Sequence, residues 1–182
     1  MESAKGTTKK IIILGPESTG KSTLCAELAS HYDTIWCPEF ARQYLLKHGM
    51  NYTFEDLLTI AKGQVALEEE HLKRVPPGKP LFVDTDMFVM KVWCEFVFGQ
   101  CHQWILDQIV ARSCDLYLLC DIDLPWVKDE LREYPDLESR AKLYNIYEDI
   151  MINQPVPWVN IRGASEERLS SAISAIQNIL KY

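Results

Sequence analysis

The sequence predicts an α/β fold: a five-stranded, mainly parallel sheet with helices on both faces and a helical lid. Three observations predict it. Short apolar runs alternate with longer stretches of helical periodicity, which is the pattern of successive βαβ units. The first run leads directly into Gly15-Pro16-Glu17-Ser18-Thr19-Gly20-Lys21-Ser22-Thr23, with the spacing G-x-x-x-x-G-K-[ST]. The chain has 182 residues, 47% hydrophobic and 25% charged, which suits one domain over 1–182 with a substantial core.

The elements follow in order. Ile11-Ile12-Ile13-Leu14 is apolar and β-branched, as a strand covered on both faces requires. From Lys21 to about His31, Leu24, Leu28 and Ala29 fall at helical spacing. Thr34–Cys37 reads as a second short strand closed by Pro38, and Phe40–His48 as a helix stopped by Gly49. Thr53 is an N-cap for a helix carrying Leu57, Leu58, Ala61, Val65, Leu67 and Leu72, broken at Pro76-Pro77-Gly78. Leu81-Phe82-Val83 is the third strand, ending in Asp84-Thr85-Asp86, and helices cover about Met87–Phe98 and Gln103–Arg112. Leu116–Cys120 is the fourth strand. A charge-rich stretch from Asp121 to Arg140 leads into a helix ending near Ile152. Val159–Ile161 is the fifth strand, and Ser165–Lys181 the last helix, with Glu166 and Glu167 in its first turn. Met1–Thr8 is polar and expected to be loose.

The glycine-bounded loop after the first strand has a chemical reason for each residue type. Gly15 and Gly20 permit turns that a Cβ forbids and let the backbone approach phosphate closely. The N–H groups of Glu17, Ser18, Thr19 and their neighbours then face an anion at the positive end of the following helix. Lys21 is spaced to reach the β- and γ-phosphates, Ser22 to ligate Mg²⁺, and Thr23 continues the loop into the helix. The motif sits between a strand and a helix, the context a phosphate-binding loop of the P-loop nucleotide enzymes requires.

Composition narrows the partners. The net charge of −7, with no basic run beyond Lys9-Lys10, argues against nucleic acid as the main partner. No stretch approaches a membrane span and the N-terminal apolar run is too short for a signal-peptide core, so a cytoplasmic protein without a membrane partner is expected. Cys25, Cys37, Cys94, Cys101, Cys114 and Cys120 contain no C-x-x-C pair and read as reduced thiols rather than a zinc or redox site. Oligomeric state is open.

Ligands of parallel sheets bind beyond the carboxyl ends of the strands, so the residues that follow each strand are the candidates. Asp84 ends the third strand and is placed to hold Mg²⁺ as a Walker-B aspartate does. Asp86 is either a second functional carboxylate or the N-cap of the next helix. Glu39 and Arg42 follow the second strand; they either pair with each other at i, i+3 or meet the acceptor hydroxyl and a substrate oxygen. The segment at about 121–142 reads as a flap whose Arg132 neutralises charge on a moving phosphoryl group. Arg162, after the last strand, falls near a nucleotide base, or belongs only to a turn. Trp36, Tyr44, Trp93 and Phe96 are aromatic candidates for a planar acceptor, although most such residues are core.

A GTPase switch needs D-x-x-G and N-K-x-D, which are missing after the third and fourth strands. A motor or AAA-type ATPase calls for a longer chain. A compact domain with an acidic rim and a basic flap suits a small-molecule kinase, with the choice between ATP and GTP open. Four motifs carry a narrower resemblance: Gly15-Pro16-Glu17-Ser18-Thr19-Gly20-Lys21-Ser22-Thr23, Glu39-Phe40-Ala41-Arg42, Asp84-Thr85-Asp86, and Trp126-Val127-Lys128-Asp129-Glu130-Leu131-Arg132. Together they make the chain, from Lys10 to Tyr182, resemble the ribosylnicotinamide kinase domain of the NadR-type proteins. The resemblance implies transfer of the ATP γ-phosphate to the 5′-hydroxyl of nicotinamide riboside. It assigns Lys21 and Ser22 to ATP and Mg²⁺, Asp84 to the metal, Asp86 and Glu39 to the riboside, and Arg132 to the lid. Which carboxylate receives the hydroxyl proton stays open. Longer NadR proteins also carry a DNA-binding segment and an adenylyltransferase domain; no H-x-G-H occurs here, so the expectation is the kinase alone. Gln43 stands where relatives commonly have an acid. Kinases for another nucleoside or nucleotide, and a non-catalytic nucleotide-dependent binding module, are the alternatives.

Overall fold

The structure is a computed structural model that describes residues 8–180. The expected looseness of residues 1–7 and the last turn of the final helix at Lys181 lie outside them. In chain order the elements are β1 (Lys10–Leu14), α1 (Lys21–Tyr32), β2 (Trp36–Cys37), α2 (Phe40–His48), α3 (Phe54–Arg74), β3 (Leu81–Asp84), α4 (Met87–Phe98), α5 (Gln103–Ala111), β4 (Leu116–Cys120), α6 (Leu137–Asn153), β5 (Trp158–Ile161) and α7 (Ser165–Leu180). The sheet order is β2-β3-β1-β4-β5, and all four pairings are parallel rather than mainly so.

Two apolar layers hold the sheet, because alternate residues of each strand point to opposite faces. Ile11, Ile13, Phe82 and Leu118 meet Leu24 and Leu28 of α1 and Ala172 and Ile176 of α7. Ile12, Leu14, Val83, Tyr117 and Leu119 meet Val89 and Val92 of α4 and Leu143, Tyr147 and Met151 of α6. Each fully covered Ile or Leu stabilises the fold by about 1.5–3 kcal/mol. A third cluster, with Leu45, Leu57, Ile60, Ala61, Met90 and Ile105, joins α2, α3, α4 and α5 into a helical wall. Gly63 lies inside α3 because the Phe40 ring rests on it; a Cβ there would come within 2.2 Å of that ring.

Strand β1 begins one residue earlier than its apolar run, at a buried lysine. Lys10 Nζ donates to Glu68 of α3 at 2.6 Å, and Arg112 donates to the same carboxylate at 3.0 Å. Removing one partner of such a buried set costs about 3–5 kcal/mol, which explains a cation in a covered strand. α3 starts as expected at Thr53, whose hydroxyl accepts from the Asp56 N–H while Asp56 reaches back to the Thr53 N–H, a capping box.

The lid differs from expectation. Asp121–Asp136 contains no helix, and helical structure begins only at Leu137, with Asp136 accepting from the Ser139 N–H at 2.7 Å. Pro125 and Pro135 remove backbone donors and disfavour the helical conformation before them.

Candidate active site

Register brings the site together. Ile13 pairs with Asp84, and the Thr85 N–H donates to the Ile13 carbonyl at 3.2 Å. The end of β3 is therefore fixed beside the turn that leaves β1. Gly15 packs against β4: its φ is +139°, and a Cβ would lie 2.7 Å from the Cys120 carbonyl oxygen. Gly20, at φ +78°, opens α1. Lys21 Nζ folds back to donate to the Pro16 carbonyl at 2.8 Å, and the Thr19 hydroxyl donates to the same carbonyl at 2.8 Å. The ammonium is thus held over the loop.

A cleft of about 250 Å³ opens on this loop. Gly15 through Thr23 form one wall, Glu39 and Arg42 a second, Trp93 and Phe96 of α4 a third, and Arg132, Glu133 and Tyr134 of the lid close it. Lys21, Glu39, Arg42, Trp93 and Arg132, separate in the sequence, share this space.

The rim carboxylates take three different environments. Asp84 is 1% exposed and its Oδ2 accepts from the Ser22 hydroxyl at 2.5 Å. Burial pushes its carboxyl up, against the pull of the Lys21 ammonium and the Ser22 bond. Glu39 is the N-cap residue of α2, yet its side chain makes no capping bond. Gln64 of α3 takes that job, accepting from the Phe40 N–H at 2.7 Å, so the Glu39 carboxylate is left for the cleft. Burial, then the nearby Asp84 charge, raise it from its ordinary 4.5 to about 7.

Asp86 is engaged by a helix. It caps α4 by accepting from the Phe88 and Val89 N–H groups at 3.0 and 3.4 Å, and it accepts from the Tyr117 hydroxyl at 3.2 Å. It does not line the cleft. The N-cap alternative is thus realised: Oδ1 serves the start of α4 and Oδ2 the Tyr117 hydroxyl, while burial raises the carboxyl from 3.8 to about 6.

Other expected residues are also redirected. Arg42 does not pair with Glu39; its two terminal nitrogens donate to both oxygens of Asp129 in the lid, at 3.2 and 3.1 Å. Glu17, expected at the nucleotide, accepts from the Glu133 and Tyr134 N–H groups of the lid at 3.0 and 2.5 Å. Arg162 is exposed and outside the cleft lining. The same turn is served instead by Arg168 of α7, 4% exposed. It donates to the carbonyls of Thr19, Gly163 and Asp121 at 2.9, 2.9 and 3.1 Å and to the Asp123 carboxylate. That one cation braces the phosphate loop against the ends of β4 and β5. Its signal in the sequence is faint: an arginine one residue before Leu169 on an otherwise apolar helix face.

Tyr52 was missed as well. The Trp93 indole donates to the Tyr52 oxygen at 3.0 Å, and Tyr52 donates to Glu133 at 2.9 Å. α4 is thereby tied to the lid. Trp36 instead packs against the apolar layer of α1 and α7.

The Ser22 hydroxyl and the Asp84 carboxylate form an all-oxygen pair at the end of the phosphate loop, the donor chemistry that suits Mg²⁺. Among the described residues no group of three or more His, Cys, Asp or Glu side chains converges. A cation there would complete its coordination with phosphate oxygens and water, as Mg²⁺ does in nucleotide sites.

Comparison with known proteins agrees with this geometry. The family described as the AAA domain matches residues 10–168. The chain is 28% identical over 160 residues to the trifunctional NAD biosynthesis/regulator protein NadR of Salmonella typhimurium, covering 86% of this chain and 38% of that protein. It is 27% identical over 157 residues to NadR of Escherichia coli, covering 84% and 38%. The chain thus spans well under half the length of these curated relatives. A solved structure of NadR in complex with NR aligns at a TM-score of 0.81 and 21% identity, over 97% of this chain and 52% of that one. Thymidylate kinase from Ehrlichia chaffeensis aligns at 0.66 and 14%, over 94% and 100%. At such identities the solved structures speak for the fold alone. The AAA match also shows that a short chain does not separate this sequence from that family, as its length suggested. The chain belongs to the AAA domain family, in a P-loop form similar to NadR over most of its length.

Proposed function

We propose that the chain is an ATP-dependent kinase that phosphorylates the 5′-hydroxyl of nicotinamide riboside, giving nicotinamide mononucleotide. The observation that carries this reading is one cleft in which the phosphate loop, an unengaged Glu39, the Trp93 face and Arg132 converge. The NadR relatives are named for NAD biosynthesis, and a structural neighbour holds NR, which supports the choice of acceptor.

The chemistry follows from the residues. The loop amides and Lys21 hold the triphosphate and stabilise negative charge on the transferring group. Ser22 and Asp84 would hold Mg²⁺, which would supply charge neutralisation to the triphosphate when bound. Glu39 orients the acceptor hydroxyl and receives its proton; in a loose transition state that proton leaves late, so placement matters as much as basicity. Nicotinamide riboside carries a pyridinium cation, which suits the faces of Trp93 and Phe96 and the nearby carboxylates of Glu39 and Glu133. A monophosphate acceptor fits less well. It needs further free guanidinium groups beside the cleft, and both terminal nitrogens of Arg42 are bound to the Asp129 carboxylate.

ATP-coupled assays across nicotinamide riboside, uridine, deoxynucleosides and nucleoside monophosphates test the proposal. Preferred turnover of nicotinamide riboside supports it. Turnover confined to the others refutes it, and tight nucleotide binding with no turnover favours a binding module.

A further inference from the structure

We infer that Glu17 is a positioning residue: from within the phosphate loop it fixes the lid segment that carries Arg132. The inference rests on the phosphoryl-transfer reading of the cleft. A carboxylate beside a triphosphate site opposes the ligand by charge, so its presence calls for another task. Among the described residues, all its hydrogen-bond donors come from the lid. Glu17 Oε1 accepts from the Tyr134 N–H at 2.5 Å and from the Trp126 indole at 3.4 Å, and Oε2 accepts from the Glu133 N–H at 3.0 Å.

The next residue grips the other end of the same segment. Ser18, held at φ +58°, accepts from the Val127 N–H at 2.9 Å. Val127 to Tyr134 is thus fastened at both ends by two consecutive side chains of the phosphate loop. Arg132 lies between the fastenings, immediately before the two amides that Glu17 holds, and its guanidinium donates to the Val127 carbonyl. A charged carboxylate is a stronger acceptor for backbone N–H than a neutral oxygen, and it takes two adjacent amides at once. Removing it frees the lid end of the segment while leaving Lys21, Ser22 and the loop backbone in place. A displacement of about 1 Å in a charge-stabilising group costs about 10²-fold in rate.

Two readouts test this. In the ligand-free protein, Glu17→Ala is expected to speed hydrogen exchange at the Glu133 and Tyr134 amides by about tenfold or more, with Glu17→Gln intermediate. In turnover, Glu17→Ala is expected to lower kcat about tenfold to a hundredfold with the KM for ATP nearly unchanged. The double variant Glu17→Ala/Arg132→Ala should then be no slower than Arg132→Ala alone. Unchanged exchange at Glu133 and Tyr134, multiplicative losses in the double variant, or an effect on the KM for ATP alone would each overturn the inference. Should Glu17→Ala fail to fold, Ser18→Ala read at the Val127 amide, together with Glu17→Gln, decides the same point. The exchange arm needs no turnover, so it judges the Glu17 tie even if nicotinamide riboside proves not to be the acceptor.

Discussion

Glu39→Gln separates what this carboxylate does for the reaction from what it does to the fold. The side chain caps no helix, because Gln64 holds the Phe40 N–H, and burial raises its carboxyl from 4.5 to about 7. Such a group binds a proton more tightly folded than unfolded. The wild-type protein therefore loses stability as pH rises from 4.5 through about 7. At 1.36 kcal/mol per pKa unit, the ionised carboxylate costs the folded state on the order of 3 kcal/mol above pH 7. Glutamine has the same shape and no charge. Glu39→Gln should match the wild type in denaturant unfolding near pH 4.5 and exceed it by on the order of 3 kcal/mol near pH 8. In the same preparation kcat should fall by about 10²-fold, the lower part of the range for general-base removal, since the proton leaves late. Wild-type kcat/KM should decline as pH drops toward 6, where about a tenth of a group titrating near 7 is ionised, and the variant should lack that decline. A variant with near-normal kcat, or with the same pH–stability curve as the wild type, would refute the assignment.

Three further outcomes follow from the geometry. Lys21→Ala should lower kcat by about 10³-fold or more while thermal unfolding stays unchanged, because the ammonium serves transferring charge rather than the core; normal turnover would remove the loop from the mechanism. Gly15→Ala brings a Cβ within 2.7 Å of the Cys120 carbonyl at φ +139°. It should cost about 1–3 kcal/mol, a fall in Tm of roughly 2–10 °C by calorimetry, and an unchanged Tm would mean the loop is not packed on β4. Trp93→Leu should raise the KM for nicotinamide riboside about threefold to thirtyfold, the span of a cation–π contact, with the KM for ATP held; equal effects on both would make Trp93 a packing residue only.

The order of elements was legible because buried parallel strands are short continuous apolar runs, and Ile11–Leu14, Leu81–Val83 and Leu116–Cys120 have no amphipathic rival. Strand ends were less so. Lys10 enters β1 only because Glu68, 58 positions away, supplies a counter-charge, and no local pattern announces that. The irregular lid was misread as helical although Pro125 and Pro135 stand in it, since its charge-rich composition resembles an exposed helix. Within the site, residues adjoining strand ends could be ranked from the sequence, but their allegiances could not. Asp86 caps a helix and Glu39 does not, a difference made by Gln64 from another helix. Arg42 and Glu17 turn to the lid through Asp129 and the amides of Glu133 and Tyr134, contacts between residues 87 to 117 positions apart. Arg168 is not legible because three of its partners are backbone carbonyls, which leave no trace in composition, and the fourth, Asp123, lies 45 positions away.

Single-turnover transfer from γ-labelled ATP, with enzyme in excess over nicotinamide riboside, tests the shared cleft most directly. The expected result is label recovered in nicotinamide mononucleotide as a 5′-phosphate ester by the wild type and lost in Lys21→Ala. Label that stays in ATP or appears only as inorganic phosphate, in a protein shown to bind both ligands, would contradict it.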